Sequence, residues 1–267
     1  MRTSVIKHSI PLSRVYEYPA SLPPPPIPVL ESKWALFLDV DGTLLEFADT
    51  PDAVTVPDGL IELLGRLHTR LDGALALVSG RRIETLDQLF APLQLPCAGL
   101  HGVERRDSVG HEIRLAVDTA KLNAMRTAAQ QLAQRLPQVL LEDKNYSIAF
   151  HFRAAKLQQP ALRAGVEAIA RETGFTIQAG VDVYELKPAG SDKGSALTAF
   201  MREPVFHGRL PIYIGDDLTD EHALSAAQKH SGLGIHVGSL MQSAARFGLP
   251  GPGAVLHWLR RWEEQLS

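Results

Sequence analysis

WALFLDVDGT, residues 34–43, decides the class of fold. Trp34 to Leu38 run without a polar break into Asp39, the pattern of a parallel strand buried on both faces. Asp39 and Asp41 stand at i and i+2 on an extended segment, so their carboxylates point to one side, and Gly42 lets the chain turn sharply after them. An apolar strand that ends in paired acids places those acids where open α/β sheets bind ligands, at the carboxyl ends of the strands.

Downstream, DGLIELLGRLHTRL (58–71) sets Leu60, Leu63, Leu64, Leu67 and Leu71 at helical spacing. ALALVS (74–79) is a second short apolar run closed by Gly80, and RRIETLDQLF (81–90) reads as helix again. The alternation resumes late, with a helix over 192–202 opening at Asp192 and a strand over 211–215 ending at Asp216. A helix over 219–229 opening at Thr219, a strand over 232–237 and an amphipathic helix over 254–266 complete it. Strand alternating with helix predicts a doubly wound parallel α/β sheet formed by residues 33–105 and 186–267.

Residues 106–185 have another rhythm: helices near 119–136 and 160–173, and the stretches LLEDKNYSIAFHFR and FTIQAGVDVYELK. Ile148, Phe150 and Phe152 alternate with polar neighbours, as in a half-exposed antiparallel strand. No parallel crossover needs so many residues, so this stretch is expected to be an inserted α+β cap domain over the carboxyl ends of the core strands. Residues 1–32, with prolines at 11, 19, 23–26 and 28, show no period and are expected to form a flexible or surface-draped tail.

Composition narrows the function. The 267 residues carry a formal net charge of −3, with 45% hydrophobic and 21% charged residues, so no nucleic-acid partner is expected. No apolar run reaches the roughly 18 residues of a membrane span, and the first residues lack a continuous apolar segment, so a cytoplasmic protein without membrane contact is expected. The single cysteine, Cys97, excludes an internal disulfide and reads as a small buried hydrophobe.

Four groups of chemical residues fall at strand ends: Asp39 with Asp41, Ser79 with Gly80, Lys193, and Asp216 with Asp217. One carboxylate of the first pair could attack phosphorus while the other protonates a leaving oxygen, and the pair could share a hard cation. A calcium loop fails, because the twelfth position from Asp39 is Thr50. In GDDLTDE (215–221), Thr219 could cap a helix that Asp220 and Glu221 favour in its first turn; Asp216 and Asp217 remain outside that account. Ser79 in SGR either binds phosphate or serves as an N-cap. Lys193 sits at a helix start, where a cation is disfavoured unless it faces an anion; Lys187 competes for that role.

DxDGT, SGR, K-G and GDDxTD in this order resemble the haloacid dehalogenase superfamily of aspartyl-phosphate phosphotransferases, from Trp34 to the end. Within it, GLHGVE (99–104), EDKNYSIAFHFR (142–153) and VYELKPAGSDKGSAL (183–197) resemble trehalose-6-phosphate phosphatases. The resemblance implies Asp39 as nucleophile, Asp41 as acid/base, and Ser79, Gly80 and Lys193 around the phosphate. It implies Mg2+ on Asp39, Asp41 (through its carbonyl) and Asp216, with Asp217 and Asp220 in support. It implies sugar contacts from His101, Glu142, Lys144, His151, Arg153 and Glu185. The expected substrate is a small sugar phosphate, trehalose 6-phosphate before sucrose, mannosylglycerate or monosaccharide phosphates. A monomer is expected, with association to a trehalose-6-phosphate synthase as a further partner; the rival reading is a silent sugar-phosphate-binding module.

Overall fold

The computed structural model describes residues 22–29, 33–48, 53–180, 182–239 and 243–266. In chain order the elements are β1 (Trp34–Leu38), α1 (Leu60–Arg70), β2 (Leu75–Val78), α2 (Ile83–Leu89), β3 (Cys97–Gly99), β4 (Glu104–Arg106) and β5 (Glu112–Arg114). There follow α3 (Thr119–Arg135), β6 (Leu140–Asp143), β7 (Ile148–His151), α4 (Gln159–Thr173), β8 (Thr176–Gly180) and β9 (Val183–Lys187). The chain closes with α5 (Lys193–Phe200), β10 (Leu210–Gly215), α6 (Glu221–Lys229), β11 (Leu233–Val237), β12 (Phe247–Leu249) and α7 (Pro252–Gln265).

The large sheet has the order β12-β11-β10-β1-β2-β3-β4-β5. Its strands run parallel from β12 to β3, and β4 and β5 add antiparallel. β1 lies near the middle, between β10 and β2, and all five of its residues are buried. Helices cover both faces because each carries one apolar stripe. On α1 the buried residues are Leu60, Leu63, Leu64 and Leu67, each stabilising by about 1.5–3 kcal/mol on burial. α1 packs on α7, whose Trp258 and Trp262 are buried, and α5 packs on α6.

The predicted doubly wound α/β core is therefore present, with a second, antiparallel sheet of order β6-β7-β9-β8. That sheet and α3 and α4 enclose a separate apolar cluster built on Met125, Phe150, Leu162 and Leu186. The stretch 106–185 expected as the cap opens within strands of the large sheet. Residues 104–106 pair with β3 and residues 112–114 pair with β4, so both strands extend the large sheet, and α3, which packs on the small sheet, begins at Thr119. These strands are three residues long and polar, too short to show a period. β7 is also less exposed than its alternation predicts: Ala149, on the face away from the apolar cluster, is buried between Glu142 and Glu185 of the flanking strands.

Of the proline-rich stretch, 22–29 is described and the rest lies outside the described residues. It drapes along the core without helix or strand, with Pro25 and Pro28 buried and Leu22 and Ile27 packed on the apolar cluster. Gly248 of β12 donates its N–H to the carbonyl of Pro23 (3.0 Å), and Trp34 Nε1 donates to Val29 O (2.8 Å). Among the described residues no helix is long and apolar enough to cross a membrane. Cys97 is buried, and burial pushes its thiol up to about 12, which leaves it inert as a nucleophile.

Candidate active site

β1 delivers Asp39 to the centre of the carboxyl edge, where its N–H donates to Ile214 O of β10 (3.0 Å). The chain then turns tightly: Leu44 and Leu45 donate to Val40 O and Gly42 to Leu45 O. Gly42 holds φ +77°, and a Cβ there would lie 2.6 Å from Phe47 Cζ and overlap the Asp216 carboxylate. This turn therefore needs glycine on two counts, backbone angle and space.

β10 ends in Gly215 and hands over Asp216, while the next turn returns Asp220 to the same point. Oxygen atoms of Asp39, Asp216 and Asp220 lie within 4.8 Å of one another. Lys193, the first residue of α5, reaches between them, its Nζ 2.7 Å from Asp39 Oδ1 and 2.7 Å from Asp220 Oδ1. The lysine at a helix start thus faces anions, as its unfavourable place on the helix dipole predicts. Asp192 caps that helix by accepting from Ser195 N (2.7 Å).

Three carboxylates meet one ammonium in a site where Lys193, Asp39 and Asp220 are each under 5% exposed. Burial and the neighbouring Asp220 hold the Asp39 carboxyl well above its ordinary range, against the pull of Lys193. Burial and Asp220 likewise push Asp216 up to about 6. On Lys193, burial disfavours the charge, but Asp220 and Asp39 outweigh it and hold the ammonium charged. With all groups ionised, two negative charges stay uncompensated, which a divalent cation would offset.

The donors are oxygen throughout, which suits a hard ion. They are not equivalent, however. Asp220 already accepts from Lys193, from the Tyr213 hydroxyl and, through Oδ2, from Asp217 N (3.0 Å). Asp39 Oδ2 accepts a long bond from the Thr43 hydroxyl, at 3.4 Å. Asp39 and Asp216 are the free donors, and Asp220 anchors the lysine.

The other motif residues divide. Asp41 is gripped by Arg81 through two bonds of 2.7 Å, from Nε and from Nη2. The Ser79 hydroxyl accepts from Arg81 N (3.1 Å), which leaves its own proton to donate. It is not the cap of α2: the N–H of Ile83, which opens that helix, bonds instead to Glu104 Oε1 (2.6 Å). Gly80 lies so close to His101 that a Cβ would stand 2.9 Å from the ring. Asp217 turns away from the cluster to accept from Leu218 N (2.7 Å), and it, not Thr219, caps the turn before α6.

The small sheet presents one face to this edge. Its register sets Glu142, Ala149, Glu185 and Gln178 in one row across four strands. Lys144 Nζ donates to Glu185 Oε2 (3.2 Å), His101 Nε2 lies 3.9 Å from the same oxygen, and His151 Nε2 contacts Glu142 Oε2 at 2.9 Å. Burial, with Lys193, Lys187 and Lys144 nearby, lowers the His101 ring to about 3, so it is neutral. Lys187 donates to Gln178 and does not reach the carboxylate cluster; burial lowers its pKa. Arg153 is not brought in: its side chain is 84% exposed beside Asp182. Between the two sheets opens a cavity of about 530 Å³, with Asp41, Gly80 and Arg81 on one wall and Glu142, Lys144 and Asn145 on the other.

Arg81 and Tyr213 are the functional neighbours that the motifs did not single out. Arg81 lies within SGR itself. Tyr213 interrupts a buried strand with a hydroxyl, which demands a partner.

The profile of the trehalose-phosphatase family matches residues 37–250, the stretch that contains every residue of this cluster. The chain belongs to the trehalose-phosphatase family. A probable trehalose-phosphate phosphatase of Sinorhizobium fredii is 42% identical over 80% of this chain and 82% of its own. The trehalose-6-phosphate phosphatase of Escherichia coli is 38% identical over 87% of each chain. A crystal structure of a trehalose-6-phosphate phosphatase related protein superposes with a TM-score of 0.70 at 28% identity, over 86% of this chain and 97% of that one.

Proposed function

We propose that this chain hydrolyses trehalose 6-phosphate to trehalose and inorganic phosphate, with Asp39 as nucleophile, Asp41 as acid/base and Mg2+ held by Asp39, Asp216 and the Asp41 carbonyl. One observation carries it: a cluster of Asp39, Asp216 and Asp220 around Lys193, two charges short of neutrality when all are ionised, beside a cavity whose far wall is polar. The volume lies within the roughly 300–1,000 Å³ of small-molecule sites.

Asp39 attacks phosphorus with one carboxylate oxygen, the P–O bond to the sugar breaks, and Asp41 gives its proton to the departing sugar oxygen. Asp41 then takes a proton from water as that water cleaves the acyl phosphate and releases Asp39. Lys193 and Ser79 hold the equatorial phosphoryl oxygens, where most of the stabilisation in phosphoryl transfer is exerted. Arg81 keeps Asp41 in place until substrate arrives. Held by Asp39, Asp216 and the Asp41 carbonyl, Mg2+ would supply Lewis-acid stabilisation of the phosphoryl charge. Glu142, Lys144, Glu185 and His101 offer donors and acceptors to the sugar hydroxyls, and residues 119–187 act as the cap. The proposal also takes the enzyme to be a cytoplasmic monomer.

Phosphate release over a panel of sugar phosphates tests this. Trehalose 6-phosphate should give the highest kcat/KM, ahead of sucrose and glucose phosphates, and EDTA should abolish release. A flat profile over the panel would remove the disaccharide assignment.

The metal has a readout apart from activity. Because the native carboxyl of Asp216 is raised to about 6, the folded state binds that proton more tightly than the unfolded chain. Its contribution to stability is fully present below the unfolded value near ~3.9 and is lost as pH rises through about 6. Mg2+ should therefore raise the thermal midpoint by several degrees at pH 7.5 and much less at pH 4.5. Equal shifts at both pH values would place the ion elsewhere.

A further inference from the structure

Exposed large apolar side chains among the described residues are aliphatic with one exception, Phe47, which is 72% exposed. Scattered exposed aliphatics need no explanation, but Phe47 lines the active-site cavity. Its Cζ approaches Gly42, and the same spot is crowded by the Asp216 carboxylate, so the tip of the ring hangs over the acidic cluster. Ala48 and Val54 continue the apolar wall.

The facing wall has the opposite character. Glu142 of β6 and Lys144 and Asn145 of the β6–β7 turn line it. That turn is braced from α3: Arg126 Nε contacts Asp143 Oδ2 at 3.0 Å, and Arg126 Nη2 donates to Asn145 O. A braced polar edge therefore faces an aromatic plane across the cavity.

A pyranose ring has the matching anisotropy, with hydroxyls around its rim and C–H bonds on its faces. Mixed donors and acceptors can read the rim but leave a C–H face against water, and an aromatic ring covers such a face without needing hydrogen bonds. We infer that Phe47 is the platform for the substrate's sugar, lying against the C–H face of the glucose unit next to the scissile ester. This rests on the proposed function and adds a binding residue from the core to a set otherwise drawn from the small sheet and His101. Contact of this kind is the same in ground and transition states, so it acts on KM and not on kcat.

The experiment compares wild type, Phe47→Ala and Phe47→Trp on trehalose 6-phosphate and on glycerol 3-phosphate, which has no ring. Phe47→Ala should raise KM for the sugar ester about tenfold with kcat within about twofold of wild type. It should leave kcat/KM for glycerol 3-phosphate unchanged, and Phe47→Trp should keep a low KM on the sugar ester. The side chain is exposed, so the thermal midpoint should not move. An unmoved KM in Phe47→Ala, with wild-type turnover of trehalose 6-phosphate intact, overturns the platform alone. Equal losses on both esters overturn it too, by showing that the ring supports the Asp39–Leu45 turn instead. Absence of turnover of trehalose 6-phosphate by the wild type sinks the parent reading and this one with it.

Discussion

Asp39→Asn should lower phosphate release from trehalose 6-phosphate by at least about four orders of magnitude, with the fold intact. The amide has nearly the shape of the carboxylate but no nucleophilic oxygen anion. It also removes one of three crowded carboxylates: burial and Asp220 already hold the Asp39 carboxyl well above its ordinary range. Lys193 keeps Asp220 as its partner at 2.7 Å, so the ammonium is not stranded. The metal-free variant should melt at or above the wild-type temperature. Single-turnover phosphate release and far-UV circular dichroism measure the two halves, and substantial residual turnover would remove Asp39 as the attacking group.

Lys193→Met should be destructive in another way. Methionine fills the space of the stem but leaves Asp39 and Asp220, 4% and 0% exposed, facing each other without a cation. Breaking a buried ion pair by deleting one partner typically costs about 3–5 kcal/mol. The loss should be greatest at neutral pH and shrink at lower pH as Asp39, whose carboxyl is already held above its ordinary range, takes up a proton. Urea unfolding at neutral and at lower pH measures it, and phosphate release should fall to background. Lys187→Met provides the contrast, since burial already disfavours that ammonium and its bond is to Gln178. A loss below about 1 kcal/mol for Lys193→Met would show that the two carboxylates satisfy each other by sharing a proton.

Much of this site is legible in the linear sequence because its parts sit at strand ends. Asp39, Ser79 and Asp216 each follow an apolar run, and parallel strands converge their carboxyl ends on one edge. Lys193 was legible through a local conflict, a cation at a helix start, and its anions are where that conflict points. What could not be read is set by tertiary pairing. Nothing local tells that Arg81 grips Asp41, 40 residues upstream, or that Asp220 is an anchor rather than a helix-start charge. Polar strands of three residues, such as β4 and β5, gain their pairing from β3 and from each other and carry no pattern of their own. Arg153 shows the reverse limit: a charged residue beside a legible strand whose place is set by the turn that follows it.

The proline-rich segment along β12 has a consequence for how the molecule meets its neighbours. An outer strand normally offers a row of alternating donors and acceptors, an invitation to any passing chain to zip on. Here Pro23 takes the N–H of Gly248, and the four consecutive prolines from 23 to 26 have no N–H of their own to turn outward. A newcomer would find carbonyls and no amides, and could not continue the ladder. The chain finishes its own sheet with a terminator.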